Sequence, residues 1–182
     1  MKKIAAVVMF SAVVAAPAFA ADEGLYAGIT MGNGKPNVTP GVQPLSKKSS
    51  FVYGGLLGYQ YNKNFATELG YGGVGKATDI AGNTVKGDAL SLTAVGMLPL
   101  NESFELLGKV GVASAKTTSS GLTASQGASR TGLTYGVGAQ YNATQNLGLR
   151  LGYDRYAVAT SYAGTKINGN ANVMTVGAVY KF

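Results

Sequence analysis

The chain has 182 residues, with 15 Lys and Arg against 8 Asp and Glu, and a formal net charge of +7 at pH 7. It contains no Cys and no His, which excludes disulfides and thiolate metal sites and removes the commonest general base and metal ligand. Glycine accounts for 27 residues, about twice its usual share, and the length suits one domain rather than two.

The first segment in chain order has the pattern of a secretory signal peptide. Lys2 and Lys3 provide a positive start, an apolar run extends from Ile4 to Ala16, and Pro17 precedes the small-x-small sequence Ala18-Phe19-Ala20. The apolar run is shorter than the roughly 20 residues that a membrane-spanning helix needs. The sequence therefore predicts a cleavable signal peptide over 1–20 and an exported domain over 21–182. Without Lys2 and Lys3, the net charge of that domain is 13 − 8 = +5.

The exported domain contains eight stretches in which bulky apolar residues alternate with small or polar ones. Alternation with a period of two residues is typical of β-strands. In chain order, the stretches are GLYAGITMG, FVYGGLLGYQY, FATELGYGG, ALSLTAVGML, FELLGKVGVAS, LTYGVGAQY, LGLRLGYDRY and NVMTVGAVYKF. No stretch of about 18 apolar residues follows the signal segment, which excludes a helical membrane protein.

The composition of the two strand faces indicates which face is buried. One face carries Leu, Val, Tyr and Phe, whereas the other carries glycine, hydroxyl groups and the charged residues Glu68, Lys109, Arg150 and Asp154. In a soluble sandwich the bulky face would point inward, and glycine would then cover the outside. The inverted arrangement fits better, with the apolar face against lipid and the small face in a narrow lumen. We therefore predict an all-β fold, an eight-stranded antiparallel up-and-down transmembrane β-barrel in the bacterial outer membrane.

The connections between the stretches alternate between short and long. Short turns are expected at 62–64, 100–103 and 142–146, and longer polar loops at 33–50, 75–87, 115–131 and 157–171. In an up-and-down barrel, short turns lie at the periplasmic rim and long loops lie outside the cell. Aromatic residues near the strand ends are expected to form two interfacial girdles. The periplasmic girdle comprises Tyr59, Tyr61, Phe65, Phe104, Tyr141, Tyr180 and Phe182, and the outer girdle comprises Phe51, Tyr53, Tyr71 and Tyr153.

The last stretch ends on an aromatic residue that is expected to close the barrel. An unpaired sheet edge in lipid costs several kcal/mol for each unsatisfied backbone group. The stretch NVMTVGAVYKF must therefore pair with GLYAGITMG. We interpret Tyr180 and Phe182 as an aromatic anchor at the periplasmic interface.

Several stretches taken together resemble a known family. LYAG, GGLLGYQYN followed by FATELGY, LTAVGMLPL, LLGKVG and LRLGYDRY are similar, in order and phase, to strands of the OmpA-type eight-stranded transmembrane domain. The resemblance covers essentially all of 21–182. It implies that Glu68 and Arg150 form a central gate pair. It also implies that the aromatic residue after GAVYK is a signal for the barrel-assembly machinery. Val95 and Gln140 depart from the family at positions where inward charged residues are common.

The inward charged residues allow a structural reading and a gating reading. In a narrow lumen a carboxylate needs a cationic partner, so Glu68 is expected to pair with Arg150, with Lys109 nearby. A purely structural bridge is favoured, because eight-stranded interiors are normally filled by side chains. The alternative is a gate in which Arg150 transfers from Glu68 to Asp154 or another acceptor and opens a path for small solutes through space left by the lumen glycines.

Two further function classes remain as alternatives. A lipid-modifying barrel enzyme is disfavoured because hydroxyl activation normally uses histidine, which is absent, so we predict no catalytic residues, no metal and no cofactor. Recognition of lipopolysaccharide or a host surface is the other alternative, because basic residues outnumber acidic ones in the predicted loops. These basic residues are Lys35, Lys47, Lys48, Lys76, Lys86, Lys116, Arg130 and Lys166. The expected partners are membrane lipid, lipopolysaccharide and the assembly machinery, with no nucleic acid, and the expected state is a monomer.

Overall fold

The computed structural model describes residues 23–37, 45–47, 50–79, 84–120, 126–162 and 165–182. The predicted signal peptide over 1–20 therefore lies outside the described residues. The described part of the chain forms strands and turns, in the order β1 (Gly24–Asn37), β2 (Leu45–Lys47), β3 (Ser50–Asn62), β4 (Phe65–Asp79), β5 (Thr84–Pro99), β6 (Phe104–Ser120), β7 (Gln126–Asn142), β8 (Leu147–Tyr162) and β9 (Thr165–Lys181). Within these ranges there is no helix long and apolar enough to cross a membrane.

Eight long antiparallel strands close into a barrel. Each long strand pairs with the next one along the chain, β4 pairs with β5 through thirteen positions, and β1 pairs with β9. The predicted eight-stranded up-and-down barrel is therefore confirmed. The three-residue strand β2 is an addition that the sequence did not predict, because it has no alternating pattern. It pairs with the outer end of β4, where Leu45 lies opposite Asp79.

The chain end closes the sheet, as the terminal pattern predicted. The β1–β9 ladder runs from Tyr26 opposite Lys181 to Asn37 opposite Asn170. The backbone amide of Phe182 adds one more bond, donating to the carbonyl oxygen of Leu25 at 3.0 Å. Because β1 and β9 satisfy each other's backbone groups, neither strand presents an open edge to lipid.

The strands are longer than predicted at the end opposite the short turns. The predicted loops over 33–50, 75–87, 115–131 and 157–171 are wrong in extent, because β1, β4, β6 and β8 continue through much of them. Beyond the hydrocarbon layer a strand needs no apolar face, so the alternating pattern stops while the backbone ladder continues. The three short turns are confirmed, with strands ending at Asn62, Pro99 and Asn142.

The predicted assignment of faces is also confirmed. The lipid-facing rows are highly exposed in the isolated molecule, including Val137 at 63% and Leu92 at 55%. The opposite rows fill the interior, where Ala66 and Val95 are completely buried. In water this distribution would leave a large apolar surface uncovered. It is the distribution expected when acyl chains surround the barrel.

Aromatic side chains meet around the short-turn rim, as the predicted periplasmic girdle requires. Contacting ring pairs at 4.9–5.9 Å between centroids are Tyr59 with Tyr61, Tyr61 with Phe65, Phe104 with Tyr141, and Tyr180 with Phe182. Tyrosine and phenylalanine favour this depth because their rings lie at the boundary between hydrocarbon and headgroups. The terminal pair Tyr180–Phe182 is thus one segment of a rim that continues across neighbouring strands.

Candidate functional site in the barrel lumen

Glu68 lies at the centre of a buried ionic cluster. It projects inward from β4 and is 3% exposed. Its Oε1 forms an ion pair with Nη1 of Arg150 and accepts a hydrogen bond from the Tyr26 hydroxyl at 2.8 Å. Its Oε2 lies 3.2 Å from Nζ of Lys109. Strands β1, β4, β6 and β8 thus each contribute one side chain, and two cations face one carboxylate.

Arg150 is held from three sides. Its Nε donates to Oε1 of Gln140 at 2.9 Å, its Nη1 binds Glu68, and its guanidinium carbon lies 5.6 Å from the centre of the Tyr26 ring. Charge-assisted hydrogen bonds and a facing aromatic ring are the interactions that best stabilise a buried guanidinium. The structure therefore brings Glu68 and Arg150 together, and it fixes Arg150 in place.

A chain of polar side chains continues from this cluster toward the short-turn rim. Nε2 of Gln140 donates to Oδ1 of Asn142 at 2.8 Å, and Nδ2 of Asn142 donates to Oε1 of Glu105 at 2.6 Å. Tyr26, Gln140 and Asn142 were not predicted to be site residues. Their inward phase is visible in the sequence, but their contacts with Arg150 and Glu68 depend on how distant strands face each other across the lumen.

Two buried apolar layers lie in the lumen on either side of the ionic cluster. The periplasmic layer combines Tyr26, Ala66, Val95, Met97, Leu107 and Val179, with Leu56 packed against it. The extracellular layer combines Val52, Val74, Ala89, Ala115, Val158, Ala171 and Val173, with Tyr156 packed against it. Apolar constrictions exclude water and ions by dewetting. The ionic cluster thus lies between two buried apolar clusters.

A cavity of about 80 Å³, lined by both polar and apolar side chains, lies between the extracellular layer and the ionic cluster. Its lining includes Asp154 of β8, Lys109 of β6 and Tyr156. The ion pairs found among the described residues both involve Glu68, so Asp154 shares the cavity with Lys109 without a direct bridge to it. A cavity with this volume and polarity can hold a small group of waters.

Neighbouring side chains occupy the space beside several lumen glycines. A Cβ at Gly58 would overlap the Tyr26 ring, and a Cβ at Gly136 would overlap the Asp154 carboxylate. A Cβ at Gly87 would lie 2.7 Å from Cγ2 of Val74. At these three positions glycine makes room for a larger residue opposite, whereas Gly54, Gly70, Gly72 and Gly152 line the cavity. The solute path through glycine-lined space stays a prediction.

The basic residues assigned to loops lie mainly on strands. Lys35, Lys76, Lys86 and Lys116 are exposed strand residues on β1, β4, β5 and β6. The loop assignment is wrong for them because the strands extend beyond the membrane. Arg130 of β7 also lies on a strand, and its Nη1 donates to the carbonyl oxygens of Val158 at 3.2 Å and Gly169 at 3.0 Å. Lys47 lies on β2 and Lys166 lies on β9. Lys48 lies outside the described residues.

Comparison with known proteins agrees with this architecture. The chain matches the model of the outer membrane protein beta-barrel domain over residues 5–182. No curated protein matches the chain. Among solved structures, it is similar to Neisserial surface protein A, with 15% identity, a TM-score of 0.71, and coverage of 87% of this chain and 97% of that one.

Two other structures share the fold. The outer membrane protein OprG from Pseudomonas aeruginosa has 12% identity and a TM-score of 0.62, with 91% of this chain and 99% of that chain covered. Ail, the attachment invasion locus protein of Yersinia pestis, solved in complex with the heparin analogue sucrose octasulfate, has 20% identity and a TM-score of 0.55. That match covers 87% of this chain and 99% of Ail. At these identities the likeness concerns the fold.

Proposed function

We propose that this chain, which belongs to the family of outer membrane protein beta-barrel domains, is a structural barrel with a sealed lumen. Family membership places the protein in the bacterial outer membrane. The observation that carries the proposal is the order of layers along the lumen: apolar side chains, then the Glu68 cluster, then a second apolar layer. The barrel would contribute to envelope integrity as a monomer and would have no catalytic activity, since it lacks histidine.

A gated pore is the narrower alternative for the ionic cluster. Transfer of Arg150 to Asp154 would require Arg150 to leave Gln140, Glu68 and the Tyr26 ring together. Lys109 is less constrained, because among the described residues its ion pair is with Glu68 alone. It also lines the same cavity as Asp154. Any movement of charge in this lumen would therefore involve Lys109 more readily than Arg150. Such a movement would still leave both apolar layers closed.

Single-channel recording in planar bilayers tests the sealed lumen. We expect the wild-type protein, Glu68→Ala and Arg150→Ala to give no step-like currents, because trimming the ionic cluster leaves both apolar layers in place. Val176→Ala, which trims a lipid-facing side chain, is the matched control. Wild-type conductance that either lumen substitution abolishes or enlarges would contradict the sealed barrel and support the gated pore.

We propose recognition of an anionic ligand as a second role. It is supported by exposed lysines at the extracellular end of β1, β4, β5 and β6. It is also consistent with the anionic sugar bound to Ail, a protein of the same fold. Heparin binding that survives substitution of all four lysines would contradict recognition through these lysines.

We further propose that Tyr180 and Phe182 serve assembly. Their rings contact each other at 5.2 Å, and Phe182 is tied to β1 through its backbone amide. Both features place the aromatic end of the last strand at the seam that closes the barrel. Engagement of this end by the barrel-assembly machinery would couple recognition of the chain to closure of the sheet.

A further inference from the structure

We propose that Lys76, Lys86 and Lys116, together with Asp88, form a lateral site for the phosphate groups of the glycolipid in the outer leaflet. This group of four residues is called the lateral lysine cluster below. The inference rests on the second proposed role, recognition of an anionic ligand. It assigns that ligand as a membrane lipid beside the barrel rather than a soluble molecule above it. Its basis is the direction in which the lysines point.

Strand pairing brings the four residues together. Lys76 of β4 lies directly opposite Lys86 of β5, and Asp88 lies directly opposite Lys116 of β6. Lys86 pairs with Thr118, which places Lys116 two residues away on the same face. Directly opposed residues have Cβ atoms about 5 Å apart, and diagonal neighbours are about 7–8 Å apart. One phosphate group is therefore within reach of several of these side chains.

The cluster continues the lipid-facing rows of the barrel. Lys86 and Asp88 share the face of Leu90 and Leu92 on β5, and all of them are exposed. Lys86 lies four residues beyond Leu90, which is about 13 Å along the strand. With a strand tilt of about 40°, this corresponds to roughly 10 Å of height above the last apolar side chain. The headgroup layer extends about 5–8 Å beyond the hydrocarbon core, and a long lysine side chain that bends toward the membrane from this height can place its charge in that layer.

A β-bulge turns Lys76 to the outside. Along β4 the even-numbered residues Ala66 and Glu68 point inward, and a regular strand would also turn Lys76 inward. The pairing with β5 shifts between Gly73 and Gly75, and Gly75 has a positive φ of 122°, which favours glycine. Val74, which the shift leaves unpaired, is still buried like the even-numbered residues before it, whereas Lys76 beyond the bulge is exposed. Bulges commonly re-aim a side chain in this way, and here the result is a third lysine on the lipid-facing wall.

The charge of the cluster favours an external anion. Three cations face one acid, and Lys76 opposite Lys86 is a like-charge pair, which destabilises a sheet. Neither of the ion pairs found among the described residues includes any member of the cluster. Lysine binds phosphate as a compact positive charge. Phosphates of a membrane lipid are the anions held at this height and on this side of the barrel.

Binding of bisphosphorylated lipid A to the detergent-solubilised full chain, measured by native mass spectrometry, tests the site. Dephosphorylated lipid A and heparin serve as comparison probes. Each lysine near an anionic surface contributes about a fivefold change in affinity. We expect the triple variant Lys76→Gln, Lys86→Gln, Lys116→Gln to bind bisphosphorylated lipid A at least tenfold more weakly. Asp88→Asn removes the opposing charge and should strengthen binding.

The matched control is Lys63→Gln, an exposed lysine in the short turn between β3 and β4, which should change binding less than twofold. Gel mobility before and after boiling establishes that each variant is a closed barrel, so failure of lipid binding is distinguishable from failure of the barrel itself. Unchanged affinity in the triple variant would overturn the proposal. Equal loss for dephosphorylated lipid A would also overturn it, because phosphate would then play no part. Loss of heparin binding with lipid A binding intact would show that the cluster faces a soluble polyanion instead.

Discussion

Gly58 and Tyr26 show how a single position in the lumen wall depends on its neighbour. The two residues lie directly opposite each other on β3 and β1, and the Tyr26 ring covers the face of Gly58. That placement allows the Tyr26 hydroxyl to reach Glu68 and its ring to lie beneath Arg150. The absence of a side chain at Gly58 thus supports the ionic cluster in the centre of the barrel.

Gly58→Ala tests this dependence. The added Cβ would overlap the Tyr26 ring, so we expect a loss of about 1–3 kcal/mol in the free energy of unfolding, the usual cost of overfilling a packed interior. Urea titration of the refolded protein in lipid vesicles, followed by tyrosine fluorescence, measures the change.

The matched control for this substitution is Gly108→Ala on β6. Gly108 is exposed, and a Cβ there would meet no atom within 4 Å. The control should change the free energy of unfolding by less than about 0.5 kcal/mol. Equal effects of the two substitutions would mean that backbone propensity, rather than contact with Tyr26, decides the cost.

The roles of single residues were only partly predictable from the sequence. The inward direction of Glu68, Lys109 and Arg150 follows from the two-residue period. The hydrogen bonds from Tyr26 and Gln140 do not, because they join strands that are distant in the chain. The bulge at Gly73 and Gly75 was also missed, since a one-residue shift of register leaves no separate pattern in a glycine-rich stretch.

At the scale of the strand, the depth of a residue in the membrane decides what its side chain can be. Residues of β7 that share one face change from Val137 at mid-strand to Ser129 near the outer end, and both are exposed. Only hydrocarbon selects for apolar side chains, so the outer part of the strand loses its pattern while keeping its backbone pairing. This is why the strands were identified correctly and their outer ends were not.

Val137→Arg tests the lipid-facing assignment of β7. Val137 is 63% exposed in the isolated molecule, and an arginine near the bilayer midplane costs about 2–4 kcal/mol. The free energy of unfolding in lipid vesicles should fall by that amount. Ser129→Arg, on the same face near the outer interface, is the control and should cost at most about 1 kcal/mol. Similar small losses at both positions would show that this face does not meet hydrocarbon.

At the scale of the whole molecule, closure of the sheet replaces the hydrophobic core of a soluble protein. In the described part of the chain, the lumen buries small apolar layers and an ionic cluster, whereas the large apolar surface remains outside. In lipid every backbone group must be paired within the protein. The free energy of unfolding is therefore expected to depend on completion of the β1–β9 seam, and the barrel should unfold cooperatively.

Gel mobility before and after boiling tests closure. The detergent-extracted protein should migrate as a compact band that shifts only after heating, because a closed barrel resists unfolding by detergent at room temperature. A band that does not shift would contradict a stable closed barrel.

The same gel tests the assembly role of the last residue. In cells producing Phe182→Ser, we expect less of the heat-shifted form, while the purified variant refolded in detergent should shift like the wild type. Normal assembly of this variant in cells would contradict a role of Phe182 in assembly.

The sequence by itself determined the strand period, the face that meets lipid, the short turns, and the need for the last strand to pair with the first. These are local consequences of alternation and of the cost of unpaired backbone in hydrocarbon. The tertiary structure decided which side chains meet across the lumen, where the two apolar layers lie, and that Lys76 turns outward beside Lys86. Those features depend on register and on contacts between residues far apart in the chain, because a pattern along one strand specifies a direction but not the neighbour that the side chain will find there.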